Sequence, residues 1–322
     1  MPSGSWWRAT RPADSAPAAP GALVSCMARM HGMARSPRLA RVLIAAALVL
    51  PAALGAQGGT RGGSRTPSGL WYSVRGAGDP VVLIHGSNLD SRSLSALADA
   101  LAVNHRVVEL DLRFHGQSAD GEGSFSFQED VRDVLDAAGI PRAALIGHSL
   151  GGQVAVDLAL LAPERVSRLV LVAPGLSGRA ALRRQEGLEG MIAALRARDF
   201  TGAADALARL PVMTLYRDST QQAAVRAMVR DNARLFAADP RRMRSTGAPG
   251  AGRLGEVAVP VLVVMGGADP TESSDVGREV VAGVRGARGE TLAGCGHLVP
   301  IDCAGDLARV VRDFLRTTAP GR

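Results

Sequence analysis

The chain has 322 residues, of which 47% are hydrophobic and only 3% aromatic, so a large aliphatic core is available and a base-stacking surface is not. All 37 basic residues are arginine, and the formal net charge of +7 at first suggests an acidic partner. Residues 1–56 alone hold six arginines against one acid, so the rest is nearly neutral and a charge-driven nucleic-acid or membrane surface is excluded.

That first stretch has its own logic. Arg35, Arg38 and Arg41 precede VLIAAALVLPAALGA, residues 42–56: a basic segment, a short apolar run, then small residues. This is the order of a secretory signal peptide cleaved near Ala56, and it implies export to the periplasm or the exterior. The apolar run contains Pro51 and, at 15 residues, falls short of the roughly 20 that span a bilayer, which leaves an uncleaved membrane anchor as the alternative. Residues 1–32 match no targeting pattern, and Met27, Met30 or Met33 is the expected start. QGGTRGGSRTPSG, residues 57–69, reads as a flexible tether.

From residue 70 apolar runs alternate with amphipathic ones. Strands are expected at 70–74, 80–86, 105–112, 143–147 and 167–174, with helices at 93–102, 126–139 and 150–162. The helix at 126 opens on a capping box, Ser126 with Glu129 three residues on. Residues 175–255 then show only helical patterns. Strand and helix alternation resumes with a strand at 259–267, a helix at 272–284, a short strand at 289–293 and a last helix at 306–318. The expected class is α/β: a mostly parallel sheet flanked by helices, its core at 70–174 and 256–322. An all-helical cap, 175–255, is inserted between the strands near 168–173 and 259–265. The cap carries 14 arginines and 7 acids between Arg179 and Arg253. The plain reading is solvated outer helix faces; the sharper one is attraction of an anionic substrate.

The chemistry concentrates in Gly147-His148-Ser149-Leu150-Gly151, which fits G-x-S-x-G between a buried strand and a helix. A sharp turn there lifts the serine hydroxyl out of the sheet, and the small flanking residues let strand and helix pass closely. The hydroxyl needs a base and the base an orienting acid. In this arrangement the chain order is serine, acid, histidine, and His297 in GCGHLVP is the histidine that follows both the serine and the strand at 259–265. Asp269, just past that strand, is the expected acid, with Asp275 as its rival. The oxyanion donors are the Leu150 amide and an amide of the loop after 80–86, Ser87 ahead of Asn88. Leu188, Met191, Ile192, Leu195, Met213 and Leu215 are candidates to line the site or simply to fill the helix core. Met191, Met213, Leu215 and the serine's neighbour His148 are the choice for substrate contact. Cys295 and Cys303 either form a disulfide or remain two small buried residues.

Taken together, GLWYSVRGAGDPVVLIHGSN, DLRFHGQS, GHSLGG, VPVLVVMGGADP and GCGHLVP, in this order over about residues 70–318, resemble the α/β-hydrolase superfamily. The resemblance implies a serine hydrolase in which His297, oriented by Asp269, activates Ser149, and an acyl-enzyme is resolved by water. A small or medium carboxylic ester is the expected substrate. A lactonase, thioesterase, amidase, C–C bond hydrolase or perhydrolase would use the same residues, and a ligand-binding protein without turnover is the alternative of another class. The family pattern often has glycine where Phe114 stands. No metal-ligand spacing, phosphate loop or dinucleotide fingerprint is present, so no cofactor is expected, and the expected partner is a small molecule rather than nucleic acid.

Overall fold

The structure is a computed structural model that describes residues 62–179, 187–244 and 247–317, together with the backbone of 8–10. The expected signal peptide, its cleavage point and the alternative starts lie outside these residues. Nine strands, among the described residues, form one sheet: β1 Arg8–Thr10, β2 Ser64–Arg65, β3 Trp71–Arg75, β4 Asp79–Ile84, β5 His105–Leu110, β6 Ala143–His148, β7 Val166–Val172, β8 Val261–Gly266 and β9 Arg288–Leu292. Their order is β1-β9-β8-β7-β6-β4-β5-β3-β2, with the β2–β3 and β3–β5 pairs antiparallel and the others parallel. Strand β1 falls in the stretch expected as leader; without it β9 becomes the edge and eight strands remain. The stretch expected as a tether, 57–69, joins the sheet from Ser64 on: β2 pairs with β3, and the Arg65 guanidinium donates to the Gly69 carbonyl at 3.0 Å.

Alternation along the central strands places side chains on two faces. Val82 and Ile84 of β4, with Leu169 and Leu171 of β7, pack under helices α2 (Phe127–Ala137), α3 (Leu150–Leu161) and α7 (Ser273–Gly283). Val81 and Leu83, with Val170 and Val172, face α1 (Ser95–Ala102) and α9 (Ala304–Arg316). Both faces are therefore covered, which explains the continuous apolar runs of β6 and β8. Helix α2 starts as its capping box predicts, with the Ser126 side chain accepting from the Glu129 amide. The last helix begins earlier than its periodicity suggests. A short helix α8, Val299–Asp302, precedes α9, with Pro300 in its first turn where a missing N–H costs nothing.

Between β7 and β8 the described residues form α4 (Leu188–Arg196), α5 (Phe200–Leu207), α6 (Gln222–Asp231) and short 3-10 turns, with no strand among them. A third apolar cluster joins this insertion to the core: Leu207, Met213, Leu215 and Met228 pack with Leu89 and Leu298. Its arginines act mainly as anchors. Arg234 donates to the carbonyls of Phe114, Gly116 and Ser118, and Arg242 to those of Gly121 and Gly123. Arg217, Arg230, Arg241, Arg244 and Arg253 pair with carboxylates. These arginines are thus paired with carbonyls and local acids. Phe114 takes a left-handed backbone (φ 65°), the conformation for which glycine is suited, and its ring is held between Phe125 and the Arg242 guanidinium.

Candidate active site

The strand order reverses between β4 and β6, and the loops leaving their carboxyl ends meet there. Ser149 sits on that turn with φ 50° and ψ −113°, a conformation costly for a residue with a side chain. Its surroundings hold it there. The Ser149 amide donates to Val172 O at 3.0 Å, and its carbonyl accepts from the amides of Gly152, Gln153 and Gly175. A Cβ on Gly147 would lie 2.1 Å from Gly151 O, and one on Gly151 would lie 2.1 Å from Ile84 O, so the two glycines of G-x-S-x-G are demanded by backbone crowding.

Ser149, His148, Leu150, His297 and the Gly86–Leu89 loop line one cavity of about 280 Å³. His297 is buried, and its Nδ1 is 2.8 Å from Asp269 Oδ2. The other oxygen, Asp269 Oδ1, accepts from Thr271 N at 2.9 Å and Thr271 Oγ1 at 2.7 Å. Burial by itself would raise the Asp269 pKa. The hydrogen bond and charge of His297, helped by the two Thr271 donors, outweigh burial and hold this carboxyl below its ordinary range. Asp275, the rival acid, points to solvent and pairs with Arg278. The acid beside His297 is therefore Asp269.

Around the loop after β4, Asn88 takes a left-handed backbone (φ 56°) and its amide donates to His115 Nε2 at 3.2 Å. The amides of Ser87 and Leu150 make no hydrogen bond among the described residues, which leaves Ser87 rather than Asn88 as the free donor of that loop. His148 Nε2 lies 3.0 Å from the His297 carbonyl and so carries the proton, tying the serine's neighbour to the histidine loop. Of the other residues expected to contact substrate, Met213 lines the cavity. Met191 and Leu215 do not: Leu215 is buried in the third apolar cluster and Met191 packs against it. Leu188 also packs there, Ile192 is 37% exposed, and Leu195 is absent from the described lining. Helical periodicity marks apolar faces, but it does not say which face meets a cavity.

Three elements of the site had no motif. Asp302 accepts four backbone amides, from Tyr216, Arg217 and Asp218 of the insertion and from Gly296 beside His297, at 2.8 to 3.3 Å. Asn232 bridges Asp90 to Gly116, its Nδ2 3.0 Å from Asp90 Oδ2 and its Oδ1 2.6 Å from the Gly116 amide. Thr271 shares its hydroxyl among Asp269 and Ser273. Cys295 and Cys303 are joined in a disulfide, with Cα atoms 6.1 Å apart, so the loop carrying His297 is closed covalently.

Two buried histidines make a pH prediction. Burial, and then the neighbouring His85 or His297, lower His115 and His148 to pKa about 3. Each is neutral in the fold but protonates near 6.5 in the unfolded chain. The stability they lend is complete above pH 6.5 and drains as pH falls towards 3. At pH 5 each costs up to about 2 kcal/mol. Urea unfolding at pH 7 and pH 5 should show a loss of a few kcal/mol, roughly halved in His148→Asn. Equal stability at both pH values would refute it.

Residues 81–310 match the model of the α/β hydrolase family. A 2-hydroxy-6-oxononadienedioate/2-hydroxy-6-oxononatrienedioate hydrolase from Paraburkholderia xenovorans is 31% identical over 268 residues, 76% of this chain and 90% of its own. Among solved structures, an esterase from Rhodococcus sp. ECU1013 is similar with a TM-score of 0.64 at 24% identity, over 79% of this chain and 98% of that one. An enol-lactonase from Burkholderia xenovorans matches with a TM-score of 0.61 at 24% identity, over 80% of this chain and all of the other. These two likenesses bear on the fold.

Proposed function

The chain belongs to the α/β-hydrolase family and is a hydrolase, and from that premise we propose that it is an exported serine hydrolase acting on a small or medium carboxylic ester. The observation that carries this reading is the Asp269–His297 hydrogen bond of 2.8 Å at a cavity that also holds Ser149 on its strained turn. With Nδ1 of His297 donating to Asp269, Nε2 is the nitrogen left to take the Ser149 proton as Oγ attacks the acyl carbonyl. The oxyanion forms towards the unengaged amides of Ser87 and Leu150, the protonated His297 returns its proton to the departing alcohol, and water then repeats the cycle on the acyl-enzyme. A cavity of about 280 Å³, at the low end for ligand sites, suits a short acyl chain. Purified protein should hydrolyse p-nitrophenyl esters between acetate and decanoate with an optimum at short or medium length. Folded protein inert on the whole ladder would reject the ester reading.

C–C bond hydrolysis is the second reading, favoured by the name of the 31% identical relative. That relative's substrate is a dioate. Here the cavity's Arg179 is already paired with Glu279 through two hydrogen bonds, at 2.7 and 2.6 Å, so its charge is offset before a substrate carboxylate arrives. An ester therefore ranks first.

Export is supported by the basic and apolar order of residues 35–56 and by the Cys295–Cys303 bond, a linkage that persists in oxidising compartments. Sequencing the mature N-terminus should find cleavage near Ala56. Reducing the short disulfide loop should cost about 2–3 kcal/mol and lower the Tm. An identical Tm with and without reductant, or two free thiols in the denatured protein, would refute the oxidised form.

A further inference from the structure

Glu272 stands just ahead of α7 and lines the same cavity as Ser149 and His297. Its side chain does not cap the helix. Both carboxylate oxygens are buried and neither has a hydrogen-bond partner among the described residues. No other carboxylate there has both oxygens buried and unpartnered. The contrast with its neighbours is sharp: Asp269 accepts from His297 and Thr271, and Asp302 from four amides. The hydroxyl of Thr271 is already engaged with Asp269 and Ser273, so it offers Glu272 nothing.

The guanidinium among the cavity's described lining, Arg179, pairs with Glu279 through two hydrogen bonds and not with Glu272. His148 is neutral, because burial lowers it to about 3. A buried carboxylate without donors is unfavourable, and a ligand group that supplies N–H donors and positive charge relieves it. A substrate carboxylate at the same place would instead meet like charge across a poorly screened gap.

Resting on the serine-hydrolase reading above, we infer that Glu272 is a specificity-determining residue that receives an ammonium group of the substrate. The enzyme then prefers cationic esters over neutral or anionic ones of equal length. The preference arises in binding, because Glu272 meets the ammonium group while Ser149 and His297 act on the carbonyl.

Three p-nitrophenyl esters of matched length and identical leaving group test this: 6-aminohexanoate, heptanoate and the monoester of adipic acid. In the wild type, kcat/KM for the aminohexanoate should exceed that for heptanoate by about tenfold and that for the adipate by more. In Glu272→Gln the aminohexanoate-to-heptanoate ratio should fall to about twofold or less. A wild type without that order, or an unchanged ratio in the variant, overturns the inference. If none of the three is cleaved, the ester reading fails separately, and calorimetric binding of hexylammonium and hexanoate decides the inference. Hexylammonium binding tighter than hexanoate, with the difference lost in Glu272→Gln, supports it, and equal affinities overturn it. Should the variant fail to fold, the order of the wild type on the same probes carries the decision.

Discussion

Ser149→Ala is expected to lower kcat/KM for the ester ladder by at least about 10⁴-fold while leaving the melting curve essentially unchanged. The hydroxyl is the only group this substitution removes. Alanine keeps the Cβ, and the amide and carbonyl bonds that hold residue 149 in place involve backbone atoms alone. Ser149→Gly should be equally inactive and more stable, by about 1 kcal/mol. The reason is the backbone: φ 50° and ψ −113° strain any side-chain-bearing residue, and glycine adopts them with ease. Part of that gain is offset by the greater freedom of glycine in the unfolded chain. The pair of variants separates the two roles of one position, since activity reports the hydroxyl and melting temperature reports the strain. Residual hydrolysis within tenfold of the wild type in Ser149→Ala would remove Ser149 as nucleophile.

Asp302→Ala is expected to destabilise the protein by about 3–5 kcal/mol and to lower activity on the order of 10²-fold even in the folded fraction. Its carboxylate is 6% exposed and accepts four amides at once, three from the insertion and one from Gly296. Truncation leaves those donors without their acceptor in a region water reaches poorly. Gly296 directly precedes His297, so the loop that aims the imidazole loses one of its braces, while the disulfide between Cys295 and Cys303 and the His148 bond to the His297 carbonyl remain. Asp302→Asn should be milder, because one oxygen remains to accept while the amide nitrogen faces donors. The comparison is read by urea unfolding and by kcat on a good ester. A wild-type-like Asp302→Ala would show that these four bonds contribute nothing net.

The α/β class, the strand positions and the Ser149, Asp269 and His297 candidates were open to reading from the chain alone, because each rests on local rules. A strand buried on both faces must be apolar, as β8 is throughout and β6 is up to His148. A helix must cap its first amides, as Ser126 does. A G-x-S-x-G turn needs small residues wherever backbones approach to near 2 Å of a would-be Cβ, as at Gly147 and Gly151. What decided the rest was contact between residues far apart in sequence. Asp269 and Asp275 are both acids near the end of the same strand, and only the fold shows that one meets His297 while the other meets solvent. Leu215 and Met213 are two positions apart in the same apolar cluster, yet only Met213 also lines the cavity. Asp302 meets three amides of the insertion, and Asn232 meets Asp90 and Gly116, across 84 or more positions, and the Glu272 carboxylate is distinguished by having no partner among the described residues. Periodicity and capping are carried by neighbours along the chain. Which polar group finds a partner in the interior, and which is left to greet a ligand, depends on the packing of segments that no local pattern encodes.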